Sequence, residues 1–84
     1  MTTLKHYGAD QWCAPCRALK PIIQEIIQQN PSVSYQYIDV DTNQEEAQSM
    51  GIRSIPVVIV MKNGMETSRF IGIQPKATYE QAIK

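Results

Sequence analysis

The sequence is poor in the features that would place it in a membrane, on nucleic acid or outside the cell. Its longest apolar run, Ile55 to Met61, is far shorter than the roughly 20 residues of a spanning helix. Eight basic residues balance eight acidic ones, and no block of like charges suits nucleic acid or an anionic membrane. The N-terminal segment lacks the apolar core of a signal peptide. We therefore expect a cytoplasmic, monomeric protein that binds neither nucleic acid nor a membrane.

Cysteine is also scarce, and its two copies stand close together. Two cysteines cannot form the disulfide framework of a small secreted module. Cys13 and Cys16 have Cys-x-x-Cys spacing, which in a reducing compartment favours redox or metal chemistry over a structural staple. A structural zinc site needs four ligands, and His6 is the only further cysteine or histidine. We therefore favour a redox-active dithiol over half a zinc site or a passive disulfide, and expect no metal and no bound cofactor.

The 84 residues leave room for one domain, which we place at 1–84. Hydrophobic periodicity, together with glycine and proline positions, predicts four strands and three helices. In chain order these are a strand over Thr3–Tyr7, a helix over Ala14–Asn30, a strand over Val33–Val40, a short helix closed by Gly51, a strand over Pro56–Met61, a strand over Met65–Ile71 and a helix opened by Pro75.

Local signals support several of these elements. Pro21 lies inside the first helix and should kink it. Thr42 and Glu45 have the spacing of a capping box, which would open the second helix. Asn63-Gly64 is typical of a two-residue hairpin turn. The order β-α-β-α-β-β-α predicts an α/β fold with a four-stranded mixed sheet, helices on both faces, and function beyond the carboxyl ends of the parallel strands.

The cysteines lie at such an end, where the first long helix begins. Unpaired backbone N–H groups and the helix dipole stabilise a thiolate there, so we expect a lowered pKa for Cys13. A low pKa also makes Cys13 the better leaving group when Cys16 attacks a mixed disulfide. Pro15 in the first turn has no N–H to leave unpaired and fixes the loop geometry.

The sequence resembles the thioredoxin family over nearly its whole length. Trp12-Cys13-Ala14-Pro15-Cys16 is similar to the family's Trp-Cys-Gly-Pro-Cys motif, and Pro21 falls where the family has a helix-kinking proline. Gly51-Ile52-Arg53-Ser54-Ile55-Pro56, followed by Lys62-Asn63-Gly64, is similar to a second family signature. The resemblance implies a thioredoxin-like fold without the extra strand and helix with which the family usually begins.

The resemblance also implies a dithiol enzyme that reduces disulfides in other proteins and is itself reduced by a thioredoxin reductase. In that reading Cys13 is the nucleophile, Cys16 is the resolving thiol, and their disulfide is the redox-active group. Pro56 would be a cis proline facing the cysteines. The implied substrate-binding surface comprises Trp12, Ala14, Pro15, Ile55, Pro56 and Gly72.

Two other functions remain open at this stage. The compact size is closer to that of glutaredoxin, which would make glutathione the electron source. However, the stretch from Gly72 to Pro75 lacks the Gly-Gly pair that glutaredoxins use to bind glutathione, and the active-site tryptophan favours thioredoxin. A non-catalytic thioredoxin-fold subunit of a larger complex is the other alternative, against which the retained cysteine pair and helix-start proline argue.

Proton transfer is where the sequence departs most from the family, which usually keeps a buried aspartate behind the resolving cysteine, paired with a lysine. In this sequence His6 or Tyr7 stands where the family has the aspartate, depending on a one-residue gap. Tyr37 stands where the family has the lysine. We hypothesise that His6 accepts the proton of Cys16, because a histidine pKa near neutrality suits a base at cellular pH. The alternative is a partly exposed histidine without a role. Asp10 is a further candidate, in a loop that we expect to be exposed.

Overall fold

The computed structural model describes residues 1–84 and contains all seven predicted elements in the predicted order. Their ends differ from the sequence-based expectation by only a residue or two. The elements are β1 (Thr2–Gly8), α1 (Ala14–Gln29), β2 (Val33–Asp39), α2 (Gln44–Ser49), β3 (Val57–Lys62), β4 (Met65–Ile71) and α3 (Lys76–Ala82).

The four strands form one mixed sheet in the order β2-β1-β3-β4. β1 and β2 are parallel, in a register that runs from Thr2 opposite Val33 to Gly8 opposite Asp39. β3 is antiparallel to both β1 and β4. The predicted mixed four-stranded sheet is confirmed, and the carboxyl ends of the parallel pair meet at one edge of it.

Alternate residues along the central strands point to opposite faces of the sheet, so each face has its own core. One core lies against α1 and α3, and it contains Leu4, Leu19, Ile23, Ile26, Val33, Val58, Val60 and Tyr79. The other lies on the α2 side, and it contains Tyr7, Ile38, Val57 and Ile59, with Met50 and Ile52 packed against them. Burying each such side chain contributes about 1.5–3 kcal/mol, so the helices are held on both faces as predicted.

α1 is the longest helix, with 16 residues. Its buried side chains Cys16, Leu19, Ile23 and Ile26 recur every three or four residues, which is the spacing of one helix face. Pro21 lies inside it as predicted, and a proline there cannot donate the usual helix bond to the carbonyl four residues earlier, that of Arg17. No helix of the structure combines the length and the apolarity that crossing a membrane requires.

The β3–β4 hairpin forms as predicted, and both chain termini lie against its turn. Asn63 has a φ of 53° and Gly64 a φ of 83°, which are the positive values required at both central positions of a type I′ turn. The amino group of Met1 donates to Oδ1 of Asn63, and Asn63 N–H donates to the Met1 carbonyl. Lys62 Nζ donates to the carbonyl of Lys84 at 2.7 Å.

The predicted capping box at the start of α2 is wrong. The N-cap residue is Asn43, and its side chain makes no capping hydrogen bond. The Thr42 hydroxyl instead donates to the carbonyl of Asp39, which also accepts from Nδ2 of Asn43. The polar side chains therefore bind the end of β2 rather than the helix. The predicted end is confirmed, since Gly51, with a φ of 70°, follows the C-cap residue.

Candidate active site

The two cysteines lie in the segment that joins β1 to α1, beyond the carboxyl end of β1. Cys13 is the N-cap residue of α1, and its N–H donates to the carbonyl of Ala9 at 2.9 Å. Its Sγ accepts a hydrogen bond from the backbone N–H of Cys16 at 3.2 Å. The cysteines form a disulfide with a Cα–Cα distance of 5.3 Å. One turn of helix therefore brings both sulfurs together, as the spacing predicted.

The disulfide is accessible from one side only. Cys13 retains 5% exposure, whereas Cys16 is 0% exposed. Both cysteines pack with Ala9, and Ile55 and Val40 lie against the cluster. Of the two cysteines, only Cys13 is therefore open to a group arriving from solvent, while Cys16 is enclosed by the protein.

The helix start supplies the electrostatics for a thiolate on Cys13. The Cys13 sulfur caps α1 by accepting the Cys16 N–H, and the dipole of a 16-residue helix favours negative charge there. Pro15 lies in the first turn, where its missing N–H removes no helix bond. The lowered pKa that we expect for Cys13 stays a prediction for the reduced protein.

The second signature lies beside the disulfide. The peptide bond between Ile55 and Pro56 is cis, as the resemblance implied, and Pro56 is buried. Gly72 has a φ of 78° and donates its N–H to the Pro56 carbonyl at 2.8 Å, so the two are held together at the end of the hairpin. Ile55 packs on the cysteine cluster. Three of the expected substrate-binding residues thus share one side of the site.

The remaining expected substrate-binding residues are open to solvent. Trp12 is 63% exposed, and Ala14 and Pro15 are also exposed. The Trp12 indole donates to Oδ2 of Asp41 at 2.8 Å, which fixes the ring beside the loop after β2. Sequence reasoning missed Asp41. Its place just beyond a parallel strand was a signal that could have found it.

His6 does not have the environment that we expected. It is 0% exposed, so the partly exposed alternative is wrong. Nδ1 shares a hydrogen bond of 2.9 Å with the Tyr35 hydroxyl, and Nε2 has no partner. Burial, followed by the nearby charge of Lys20, lowers the pKa of His6 to about 4, so the near-neutral value that motivated our hypothesis is absent. His6 makes no hydrogen bond with Cys16, and its role as proton acceptor stays a prediction.

The sequence analysis named Asp10 and Tyr37 separately but missed the polar cluster that they form with Lys20. Asp10 Oδ2 accepts from Lys20 Nζ at 2.7 Å, and this ion pair, followed by Tyr37, holds the pKa of Asp10 below its usual range. Lys20 Nζ also lies 3.9 Å from the centre of the Tyr37 ring, a cation–π contact. Asp10 retains 45% side-chain exposure, in line with our expectation of a loop residue. The signal in the sequence was weak, since the three residues lie on different elements.

The comparisons with known proteins agree with this geometry. The profile of the Thioredoxin family matches residues 4–84. Thioredoxin 1 of Nostoc is 35% identical over 74 residues, which cover 87% of this chain and 69% of that protein. Thioredoxin of Bacillus subtilis is 34% identical over 73 residues, covering 86% and 70%. A mutant thioredoxin from Halobacterium salinarum superposes with a TM-score of 0.90 at 28% identity, covering 98% of this chain and 71% of that structure.

The geometry and the comparisons lead to the same chemistry. A Cys-x-x-Cys disulfide at a helix start, open to solvent through Cys13 alone, is arranged for exchange with other disulfides. The protein is a protein-disulfide oxidoreductase, and neither the glutaredoxin alternative nor the non-catalytic subunit is favoured. The chain belongs to the thioredoxin family.

Proposed function

We propose that the protein reduces disulfide bonds in other proteins, with Cys13 as nucleophile and Cys16 as resolving thiol. The observation that carries this proposal is the unequal burial of the two cysteines of one disulfide. Attack on a large substrate requires the more accessible sulfur. Release of that substrate requires a second thiol that is already within bonding distance and protected from solvent.

The reaction takes two exchange steps. The Cys13 thiolate attacks one sulfur of the substrate disulfide, and the other substrate sulfur leaves as a thiolate and takes up a proton. Cys16 then loses its proton and attacks the Cys13 sulfur. The bond between Cys13 and the substrate breaks, and the second substrate thiol is released. Two electrons pass to the substrate, and the Cys13–Cys16 disulfide remains.

We infer that the substrate docks across Trp12, Ala14, Pro15, Ile55, Pro56 and Gly72. Ile55 can offer its backbone to an extended substrate, since it packs on the cysteine cluster, and Pro56 beside it is held to Gly72. Trp12 gives a large exposed apolar surface next to Cys13. An extended peptide around the substrate cysteine would therefore meet backbone groups on one side and the indole on the other.

The electron source that we propose is a thioredoxin reductase, with the protein acting as a monomer in the cytoplasm. Membership of the family and the missing Gly-Gly pair after β4 support this source over glutathione. Exchange between sulfurs needs no other redox group, so we propose that the enzyme works without a bound cofactor. A reducing compartment favours reduction over oxidation of substrates.

The test compares two electron sources with insulin as the disulfide-bonded acceptor. NADPH consumption is followed with a thioredoxin reductase, and separately with glutathione and glutathione reductase. We expect faster turnover with thioredoxin reductase, and none with Cys13→Ser. The Cys16→Ser variant should instead accumulate a mixed disulfide with insulin, which mass spectrometry detects. Faster turnover with glutathione would contradict the proposed electron source, and equal turnover by Cys13→Ser would contradict the assigned nucleophile.

A further inference from the structure

Two polar atoms from different elements converge on the backbone of Gly8. A β-carbon built at Gly8 would lie 2.8 Å from the Tyr37 hydroxyl and 3.0 Å from Sγ of Cys16. Real β-carbons do not approach other atoms so closely, and only a glycine leaves this space free. The hydroxyl of Tyr37 and the sulfur of Cys16 therefore both border the space that a side chain at position 8 would fill. No hydrogen bond joins them while Cys16 is in the disulfide.

The Tyr37 hydroxyl also lies near a carboxylate oxygen of Asp10. The Tyr37 hydroxyl and Oδ1 of Asp10 are both buried, and neither has a hydrogen-bond partner. They are nevertheless close enough to influence each other. The pKa of Tyr37 is raised, mainly by burial and then by Asp10. The pKa of Asp10 is lowered, mainly by Lys20 and then by Tyr37. A hydroxyl that is near both a thiol and a carboxylate can accept a proton from one and donate its own to the other.

Lys20 fixes this arrangement from α1. Its ammonium group binds Oδ2 of Asp10 and lies over the Tyr37 ring, so it holds the carboxylate and the ring together. His6 also packs against the Tyr37 ring, nearly perpendicular to it, at 4.9 Å between centroids. The other titratable or charged groups that influence the cluster are Arg17 from α1 and Tyr35 and Asp39 from β2.

We propose that the Tyr37 hydroxyl relays the proton of the Cys16 thiol to Asp10 when Cys16 resolves the mixed disulfide. This inference rests on the proposed function, because it concerns the second of the two exchange steps. It assigns a role to Tyr37, Asp10 and Lys20, and it gives Gly8 the role of leaving the space between Tyr37 and Cys16 open.

The step balances without any further reactant. The S–H proton of Cys16 moves to the Tyr37 oxygen as the Tyr37 O–H proton moves to Oδ1 of Asp10. The Cys16 thiolate attacks the sulfur of Cys13, a bond forms between Cys16 and Cys13, and the bond from Cys13 to the substrate breaks. Tyr37 ends as it began. Because Oδ1 itself is buried, Asp10 passes the proton to solvent after its carboxyl group rotates towards the half-exposed side of the residue.

The ion pair with Lys20 suits Asp10 to passing the proton on. A carboxylate that prefers its charged form does not retain a proton, so it returns to the accepting state after each turnover. Because Cys16 is fully buried, its thiol has no direct contact with water that could take the proton. The relay connects the buried sulfur of Cys16 to the surface through the side chains of Tyr37 and Asp10.

The experiment separates the two exchange steps in one stopped-flow trace. The reduced protein is mixed with equimolar dithiobis(nitrobenzoate), an aromatic disulfide whose released thiol is coloured. The first phase of release reports attack by Cys13, and the second reports resolution by Cys16. The Cys16→Ser variant should show the first phase alone. Absence of the first phase in the wild type would contradict the proposed function, and it is distinguishable from any change confined to the second phase.

For Tyr37→Phe we expect an unchanged first phase and a second phase slowed about tenfold or more at pH 7, since general acid–base groups contribute at least that much. The pH midpoint of the second phase should rise, a change that a purely structural role would not produce. Asp10→Asn should also slow the second phase. The matched control is Tyr35→Phe, which removes a hydroxyl from the same strand but keeps Tyr37, and should leave both phases within about twofold of wild type.

Two results would overturn the proposal. One is a second phase in Tyr37→Phe that matches the wild type from pH 6 to 8. The other is equal slowing by Tyr35→Phe and Tyr37→Phe, which would trace the effect to the strand rather than to the hydroxyl. His6→Ala is measured beside them. Slowing by His6→Ala with a wild-type rate in Tyr37→Phe would identify His6 as the acceptor instead.

Discussion

Acidification from pH 7.5 to pH 5 should destabilise the protein through His6. The imidazole is fully buried and its Nε2 has no partner, so burial lowers its pKa to about 4, whereas in the unfolded chain the value is near 6.5. The unfolded chain therefore takes up a proton that the folded protein does not. The contribution of His6 is fully present above pH 6.5 and is lost progressively as the pH falls from 6.5 towards 4.

The magnitude follows from the two pKa values. At pH 5, protonation favours the unfolded chain over the folded protein by a factor of about 30, which is about 2 kcal/mol of unfolding free energy, while at pH 7.5 the effect is negligible. Native proteins have only about 5–15 kcal/mol of total stability, so a loss of this size should be plain in the unfolding curves.

Urea unfolding of the oxidised protein, wild type and His6→Gln, at both pH values measures this contribution. The wild type should lose about 2 kcal/mol more than the variant between pH 7.5 and pH 5. Carboxylates such as Asp10, whose pKa is also lowered, affect both proteins equally and cancel. The sequence has one histidine, so its NMR signals are unambiguous, and they should titrate near 4 in the folded protein. Signals that titrate near 6.5, or equal losses in both proteins, would refute a buried neutral His6.

Two further predictions concern Gly8 and Trp12. Gly8→Ala should lower the unfolding free energy by about 1–3 kcal/mol, because the added methyl group would overlap the Tyr37 hydroxyl and both Cβ and Sγ of Cys16. Urea unfolding at pH 7 measures this change. An unchanged midpoint would show that the site is packed more loosely than described. Trp12→Ala should raise the KM for insulin, because it removes an exposed apolar surface next to Cys13. It should change the unfolding free energy by no more than about 0.5 kcal/mol, because the indole is mostly exposed. An unchanged KM would show that Trp12 is not part of the docking surface.

The sequence predicted most of the fold because its strongest signals are local. The hairpin was identified from Asn63-Gly64 alone, since a type I′ turn requires positive φ at both central residues and few other pairs tolerate it. The start of α2 was predicted wrongly for a related reason. Thr42 and Asn43 can bind either the following helix or the preceding strand, and the carbonyl of Asp39 accepts from both.

For the site, too, the sequence predicted the local features and not those that depend on tertiary packing. The pairing of Cys13 with Cys16 depends on one helical turn, so it was visible in the sequence. The convergence of Tyr37 on Cys16 depends on the parallel register of β1 and β2, on the placement of α1 and on the missing side chain at Gly8. The pKa of His6 likewise depends on burial by tertiary packing. No short stretch of sequence contains that information.

The position of the termini makes this chain well suited to attachment at either end. Met1 and Lys84 both contact the β3–β4 turn, which lies at the amino end of β1, while the disulfide lies beyond its carboxyl end. The seven residues of β1 separate the termini from the disulfide by about 23 Å, at 3.3 Å per residue. A tag, a surface anchor or a fused domain joined at either terminus would therefore emerge far from Cys13 and leave it free to react. The same proximity should allow a short linker to join the ends, with new termini opened in an exposed loop of the circularised chain.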